Sequence, residues 1–224
     1  MKKSMRSKLS LMTLAGSILM SSCSTFLEES TDPQQVKSSE VQVATESSSN
    51  PNARKSTEVA YYERFTNQLA LVDEAGNQVV DENGKAALIL PNYLPGTGIG
   101  NSSHMGKAYT FINQYASYGP TGLGTVGAPV TQFFGKKLSD MGVLITNSEV
   151  SSVTTDGKGN SIWFKNIQNN VTQVSPERSD FVAEVEIIGG TGKFIGATGS
   201  ATVDGYFNPT NGQGMSTIKG KIVY

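Results

Sequence analysis

Apolar and polar residues alternate one by one in several stretches of this 224-residue chain, and turn residues close most of those stretches. In "DFVAEVEII" (180–188) the odd-numbered residues are apolar, while Glu184 and Glu186 share the opposite face. An alternation with a period of two residues is typical of a β-strand with one buried face. The chain therefore has to bury its apolar residues as strands.

The same pattern predicts further strands along the chain. "GVLITNSEVSSVTT" and "SIWFKNI" flank the turn "DGKGN" and are expected to pair as a hairpin. "MSTIKGKIVY" alternates to Tyr224, which predicts a last strand that closes the structure. Other strands are predicted at 59–66, 68–73, 86–90, 105–117, 130–134 and 200–207. Strands at this spacing, with no segment that favours a helix, predict an antiparallel barrel or sandwich.

Glycines surround a lysine in "GGTGKFIG" (189–196), which raises the possibility of a phosphate-binding loop. A P-loop needs a glycine five residues before its Gly-Lys pair and a Ser or Thr after it. Here those positions hold Ile187 and Phe194. A dinucleotide site would need a helix behind the loop, but the residues that follow are expected to form strands. The glycines are better explained as barrel corners and bulges; they are Gly189, Gly190, Gly192, Gly196 and Gly199.

The amino terminus predicts export. Basic residues precede an apolar stretch of about a dozen residues, which is too short to span a bilayer, and small residues follow it. Cys23, the only cysteine, stands at the expected cleavage point, and this segment resembles the lipobox of bacterial lipoproteins. We expect Cys23 to be lipidated, with a plain secretory signal as the alternative. A lone cysteine also excludes disulfide bonds within the chain.

Three regions follow from these features. Residues 1–22 are predicted to be a lipoprotein signal peptide, 23–57 the lipidated cysteine and a disordered Ser/Thr-rich tether, and 58–224 a β-barrel domain. The predicted location is the bacterial cell envelope, with a lipid anchor in the outer membrane. Glu28 and Glu29 resemble the acidic export signal of some surface lipoproteins, so surface exposure is a further expectation.

Charge and composition exclude several functions. The chain has 18 basic and 19 acidic residues and no basic block, so no nucleic acid is expected as a partner. A single histidine and a single cysteine do not complete a usual zinc site, and no cofactor is predicted. The oligomeric state does not follow from the sequence.

The segment "GGTGKFIGATGSATVDG" (189–205) resembles a signature of β-barrel proteins of the allene oxide cyclase and dirigent type, including secreted bacterial relatives. "GNSSHMGK" (100–107) and "TTDGKGNSIWF" (154–164) are similar to shorter elements of those relatives. The resemblance implies a single closed antiparallel barrel of about eight strands around a cavity. It concerns the fold, and no catalytic residue can be transferred from it.

Three residues are candidates for ligand contacts, namely His104, Trp163 and Glu184. His104 lies at the edge of a glycine-rich segment, where a hydrogen bond at the barrel mouth is favoured over catalysis. Trp163 and Phe164 point to opposite faces, so one of them is free for a cavity or the surface. Glu184 and Glu186 are expected to face solvent; if they faced the barrel interior, they would form an acid–base pair.

The predicted function is binding of a small apolar ligand or a protein partner, without catalysis. The alternatives implied by the resemblance are an isomerase or cyclase of the allene oxide cyclase type and a dirigent-like protein that orients substrates. The segments 91–103 and 118–129 are expected to be long loops that act as a lid for a ligand.

Overall fold

The computed structural model of the protein describes residues 57–85, 87, 89–119 and 122–224. The predicted signal peptide, Cys23 and nearly all of the predicted tether lie outside these residues. The strands are β1 (Val59–Leu69), β2 (Asn92–Tyr93), β3 (Gly96–Ser102), β4 (Gly106–Ile112), β5 (Gln114–Gly119), β6 (Gly122–Gly127), β7 (Ser152–Thr155), β8 (Ser161–Ser175), β9 (Arg178–Thr191), β10 (Thr198–Phe207) and β11 (Gln213–Val223). One helix, α1 (Thr131–Asp140), and a 3-10 turn, Gly192–Phe194, complete the regular structure of the described part.

Eight of these strands close into an antiparallel barrel. The order around the barrel is β8-β7-β4-β3-β1-β11-β10-β9, and pairing between β9 and β8 completes the ring. β11 lies between β1 and β10, so the last strand closes the barrel as predicted. The predicted fold class is confirmed, and the sandwich alternative is wrong because every pair of neighbouring strands in the ring is hydrogen-bonded.

The remaining three strands extend the barrel wall at one end. β8 is 15 residues long, and its first part pairs with β7. Farther along the same edge, Asn169 and Asn170 pair with β6, which continues through β5 to β2. β8 therefore joins the barrel to a short outer sheet.

Helix α1 contradicts the strand predicted at 130–134. Val130, Phe134 and Leu138 recur every four residues and pack with Val143 and Val150 beside the barrel. Gly135 interrupts the pattern, but a glycine costs an exposed helix only about 1 kcal/mol. The free energy gained by burying the apolar side of the helix exceeds that cost. The segment predicted as a strand therefore forms a helix.

The core has two parts. Inside the barrel, aromatic and aliphatic side chains pack together, among them Tyr61, Phe65, Phe164, Phe194 and Ile222. The second part lies between the outer surface of the barrel and α1, where Phe111 and Val153 contact the helix residues. Phe164 and Trp163 point to opposite faces, as predicted, but Trp163 packs against the second part of the core and is not free for a cavity or the surface.

The glycine segment turns the chain between two strands. β9 ends at Thr191, the 3-10 turn follows, and β10 begins at Thr198, so the segment leads into a strand and not into a nucleotide-binding helix. A Cβ atom on Gly190 would lie 2.3 Å from the Ser161 carbonyl oxygen. Gly192 has a φ of 60°, which favours glycine. Phe194, fully buried, fills this end of the barrel.

Several predicted boundaries are wrong. The segments 91–103 and 118–129 are not lid loops, because they contain β2, β3 and β6 and pair within the sheet. β1 already ends at Leu69, where the sequence predicts a second strand over 68–73. Within 86–90, residues 86 and 88 lie outside the described part and the others belong to no strand. Residues 105–117 form two strands separated at Asn113.

Candidate functional site

The barrel interior contains a cavity of about 70 Å³ at the end opposite Phe194. This is the end where β1 and β10 finish and β9 and β11 begin. Its apolar lining residues are Leu69, Leu94, Ile112, Leu123, Val171, Phe181, Ala183, Val185, Val203, Phe207 and Ile218. Its polar lining residues are Asn67, Thr110, Gln114, Thr125, Ser151, Ser152, Asn166, Asn169 and Ser216.

None of the described side chains that line this cavity is charged. A charged guest that left water would therefore find no oppositely charged side chain in the lining to compensate for lost hydration, and that loss is expensive. The lining favours a neutral guest with an apolar body.

Two asparagines reach the cavity because of a β-bulge in β8. Asn166 pairs with Val185 and Gln168 with Glu184, so Ile167 is an extra residue without a partner. Before the bulge the even-numbered residues of β8 face inward, and after it the odd-numbered ones do. Asn166 and Asn169 therefore both line the cavity, although they are three residues apart.

Three asparagines line the cavity, Asn67 on β1 and Asn166 and Asn169 on β8, which lies across the ring from β1. We refer to these three residues together as the amide cluster. The Asn67 Nδ2 atom donates to Ser216 Oγ at 2.9 Å, and Asn169 Nδ2 donates to Thr125 Oγ1 at 2.6 Å. Within the described part of the chain, Asn67 Oδ1, Asn169 Oδ1 and both side-chain polar atoms of Asn166 have no hydrogen-bond partner. Buried polar atoms are normally paired, so these four atoms need an explanation.

An outer groove of about 280 Å³ adjoins the cavity. It lies between residues 68–72 and the β10–β11 turn at Asn208–Gly212. Leu69, Leu94 and Phe207 line both spaces and form the wall between them. Displacement of these apolar side chains would connect the cavity to the groove and enlarge the room for a ligand.

A fully buried carboxyl group lies directly beneath the cavity. Glu63 is 0 % exposed and stands opposite Ile218, which lines the cavity, in the pairing of β1 with β11. The Tyr61 hydroxyl donates to Glu63 Oε1, and Thr154 Oγ1 donates to Oε2 at 2.8 Å. Glu63 itself does not belong to the cavity lining.

Burial raises the pKa of Glu63 to about 7, and the hydrogen bonds from Tyr61 and Thr154 oppose that rise. Burial also raises the pKa of the Tyr61 hydroxyl well above its usual value, and the neighbouring Glu63 carboxylate adds to this rise. Near neutral pH the Glu63 carboxyl therefore exchanges a proton while Tyr61 stays protonated.

His104 lies in the β3–β4 turn, at the packed end and away from the cavity. Its Nε2 atom is 2.8 Å from the Ala60 carbonyl oxygen, and its Nδ1 atom is 3.1 Å from the Tyr224 hydroxyl. Its ring stacks on that of Tyr61, with the centroids 5.8 Å apart. The imidazole ties β1 and the carboxyl-terminal residue to this turn.

The other two predicted contact residues also lie outside the cavity lining. Trp163 packs on the outer side of the barrel in the core shared with α1, and its Nε1 atom donates to Ser161 Oγ at 2.8 Å. Glu184 and Glu186 are exposed on the outer face of β9, so the alternative of an inward-facing acid–base pair is wrong. The structure does not bring His104, Trp163 and Glu184 together, and ligand contacts by them stay predictions.

Neither the amide cluster nor Glu63 is among the residues predicted from the sequence. "YYERFTNQL" places Tyr61, Glu63, Phe65 and Asn67 on one face, and a carboxylate on that face obscures the apolar pattern. The bulge at Ile167 has no signal in the residue types around it. The one signal for a buried polar site in the sequence of β1 is a strand face on which Glu or Asn alternates with aromatic residues.

Among the described residues no group of three or more His, Cys, Asp or Glu side chains is placed to hold a metal ion. In the same residues no helix has the length and apolar character needed to cross a bilayer.

Comparisons with known proteins give one structural similarity. No protein family and no curated protein matches the chain. Among solved structures, the pterocarpan synthase dirigent protein GePTS1 is similar, with a TM-score of 0.43 and 14% sequence identity over 76% of this chain and 88% of that chain. At this identity the similarity concerns the fold alone. The closed barrel rests on the strand pairings above, and membership of a bacterial lipoprotein branch stays a prediction.

Proposed function

We propose that the barrel binds one small, neutral, mainly apolar molecule in its interior and does not convert it. The observation that carries this proposal is the cavity opposite Phe194, whose described lining is apolar and polar but uncharged. Binding sites for small molecules are typically concave and apolar, with a few polar groups that fix orientation.

The size of the cavity limits the guest. A volume of about 70 Å³ is about half that of the ~150 Å³ apolar cavity that is known to hold benzene. A slender group, such as an alkyl chain end, fits this space better than a ring system does. A larger molecule would place one end in the cavity and the rest in the outer groove, past Leu69, Leu94 and Phe207.

Calorimetric titration of the purified full chain with neutral aliphatic alcohols, ketones and ethers of four to ten carbons tests this proposal. We expect saturable one-to-one binding, weakened when Ala183→Leu narrows the cavity. The control is Val182→Leu, which adds volume on the exposed outer face of the same strand. Absence of binding by every compound would leave a structural role or a protein partner.

Proton-transfer chemistry is the second candidate, because Glu63 lies beneath the cavity with a pKa of about 7. A general acid or base works best when its pKa is near the operating pH. This candidate corresponds to the isomerase or cyclase alternative. Conversion of a bound compound, detected by mass spectrometry and abolished by Glu63→Gln while binding persists, would replace the non-catalytic proposal.

We also propose that the domain is anchored in the bacterial envelope through Cys23. The basic start, the short apolar stretch and the lone cysteine support this proposal. Cys23→Ala should abolish incorporation of labelled fatty acid and release the protein from membranes, or leave it at precursor size. Persistent label and membrane association in Cys23→Ala would contradict the anchor.

A further inference from the structure

The two ends of the barrel carry charged side chains of opposite sign. At the cavity end, segments 70–91 and 176–180 are acidic on balance; their charged residues are Asp73, Glu74, Asp81, Glu82, Glu177 and Asp180 against Lys85 and Arg178. At the packed end, the turns and strand ends are basic on balance; their charged residues are Lys107, Lys158, Lys193 and Lys221 against Glu58 and Asp156. The barrel therefore presents a cationic surface at one end and an anionic surface at the other.

Three of the four lysines at the packed end keep their charge available to a partner. Lys221 Nζ is 2.8 Å from Glu58 Oε2, and it is the one lysine of the four that forms an ion pair among the described residues. Asp156 accepts backbone N–H groups of its own turn. Lys193 Nζ donates to the His104 carbonyl oxygen at 2.6 Å, which holds this cation over the β3–β4 turn. The packed end thus has positive charge that the described residues do not neutralise.

An exposed apolar side chain lies among these lysines. Ile195 is 76% exposed, more than any other large apolar residue of the described part. It directly follows Phe194, whose buried ring fixes the turn between β9 and β10. The Tyr224 ring packs on Phe194 with the centroids 4.8 Å apart, yet Tyr224 is 45% exposed. The turn therefore holds an aliphatic and an aromatic side chain out from the barrel beside Lys193. Exposed apolar surface with a polar rim is typical of interaction sites.

The preceding part of the chain joins the barrel at this same end. β1 begins at Val59, which pairs with Ile222 of the packed end. The anchor proposed at Cys23 lies 34 residues before Thr57, and a flexible segment of that length spans about 30 Å on average. Such a tether brings the packed end to a bilayer first, and the surface of that end determines whether it binds.

We propose that the packed end docks on an anionic lipid bilayer, with Ile195 and Tyr224 in the interface and the three lysines against the head groups. Tyrosine side chains are enriched at the membrane interface, and lysines near an anionic leaflet are attracted to it. The acidic cavity end is repelled by the same leaflet, so the cavity faces water. This orientation is independent of what the cavity binds.

Tryptophan fluorescence in vesicles with brominated acyl chains tests the orientation, because bromine quenches tryptophan on contact. Ile195→Trp reports on the packed end, and Val80→Trp is the matched control on an exposed position of the cavity-end loop. Trp163 packs beside α1 and gives the same background in both variants. With the purified full chain on vesicles of phosphatidylcholine and phosphatidylglycerol, we expect quenching of Ile195→Trp and none of Val80→Trp. Both variants should keep the wild-type melting temperature, since both positions are exposed.

The contribution of charge is tested in the Ile195→Trp chain. Lys158→Gln should lower the ratio of docked to undocked domain about fivefold, and Lys85→Gln, an exposed lysine of the cavity end, should leave it unchanged. Raised salt should also weaken quenching, because it screens exposed charges. Equal quenching on vesicles of phosphatidylcholine alone would overturn the role of the lysines.

The remaining outcomes are equally decisive. Quenching of Val80→Trp in place of Ile195→Trp would reverse the orientation, and quenching of neither would show that the domain stays off the bilayer. A dimer that forms without vesicles and is broken by Ile195→Glu would make this surface an interface between two copies of the chain. A lipidated chain with unquenched Ile195→Trp would overturn the docking and leave the anchor at Cys23 intact. Quenching in a chain without lipid would do the opposite.

Discussion

The two ends of the barrel differ in how their interiors are filled. At the packed end, Phe194, Ile222 and Tyr61 are nearly or completely buried and belong to one packed cluster. At the cavity end, a space of about 70 Å³ remains, and the amide cluster keeps polar atoms that no described residue pairs with. The same eight strands pass through both ends, so backbone pairing alone does not explain the difference.

The difference shows how stability and recognition divide along one barrel. Dense apolar packing supplies stability at one end. Unpaired buried amides cost stability at the other, and functional sites are where proteins commonly retain such costs. Side chains of the packed end are therefore expected to control folding, and those of the cavity end to control binding.

Deletion of residues 216–224 should have the largest effect, because it removes most of β11 and opens the barrel along its whole length. Ile222 contributes to the packed end, whereas Ser216 and Ile218 line the cavity. An unpaired β1 and β10 invite aggregation. We expect insoluble or protease-sensitive protein, as measured by fractionation and limited proteolysis. Unchanged melting of the truncated chain would mean that β11 is peripheral.

Phe194→Ala should cost about 3–5 kcal/mol in the free energy of unfolding, because it leaves a void in the packed end. Phe181→Ala, at the cavity end, should cost roughly half as much, since Phe181 is only partly buried and already borders a space. Urea denaturation of both variants measures the two values. Equal costs would contradict the division between the ends.

Glu63→Gln should change how stability depends on pH. The pKa of Glu63 is about 7 in the folded protein, above its ordinary value of 4.5. Because the folded pKa is the higher one, the contribution of this group to stability is fully present below pH 4.5 and is lost as the pH rises through 7. The lost contribution is about 3 kcal/mol.

Urea denaturation between pH 4.5 and 8 tests this dependence. The Glu63→Gln variant cannot ionise, so its stability should fall less over this range than that of the wild-type chain. Glu184→Gln, on the exposed outer face, is the matched control and should retain the wild-type slope. A Glu63→Gln curve parallel to the wild-type curve would show that Glu63 does not titrate in this range.

His104→Ala should have the smallest effect, a loss of about 1 kcal/mol in the free energy of unfolding. It removes the contacts with the Ala60 carbonyl and the Tyr224 hydroxyl at the packed end. Affinity for 1-hexanol should not change, because His104 does not belong to the cavity lining. A changed affinity with unchanged stability would mean that the two ends are coupled.

Regular features of the fold could be predicted from the sequence. Residues 180–188 alternate cleanly, and Ala183, Val185 and Ile187 are buried while Glu184 and Glu186 are exposed. The turn "DGKGN" joins β7 to β8, and β11 closes the barrel. These predictions succeed because one face of each strand has a single environment along most of its length.

The remaining features depend on contacts that are distant in sequence. Val130, Phe134 and Leu138 form a helix because a barrel surface is present to bury them. Glu63 is buried because Tyr61 and Thr154, the latter on another strand, donate hydrogen bonds to it. Asn166 and Asn169 share the cavity only through the register of β8 with β9. Of the two hydrogen-bond donors to Glu63, only Tyr61, two residues away, is close in the chain.

The extra residue at Ile167 has a consequence for how this barrel can change over evolutionary time. Loss of this residue would place Gln168 directly after Asn166 and restore regular pairing, because the residues on either side of Ile167 already pair with consecutive residues of β9. Asn166 and Asn169 would keep their inward positions, and β8 would lose only its local bend. A single deletion, normally the most damaging kind of mutation in a strand, would thus preserve both the wall of the barrel and the residues inside it.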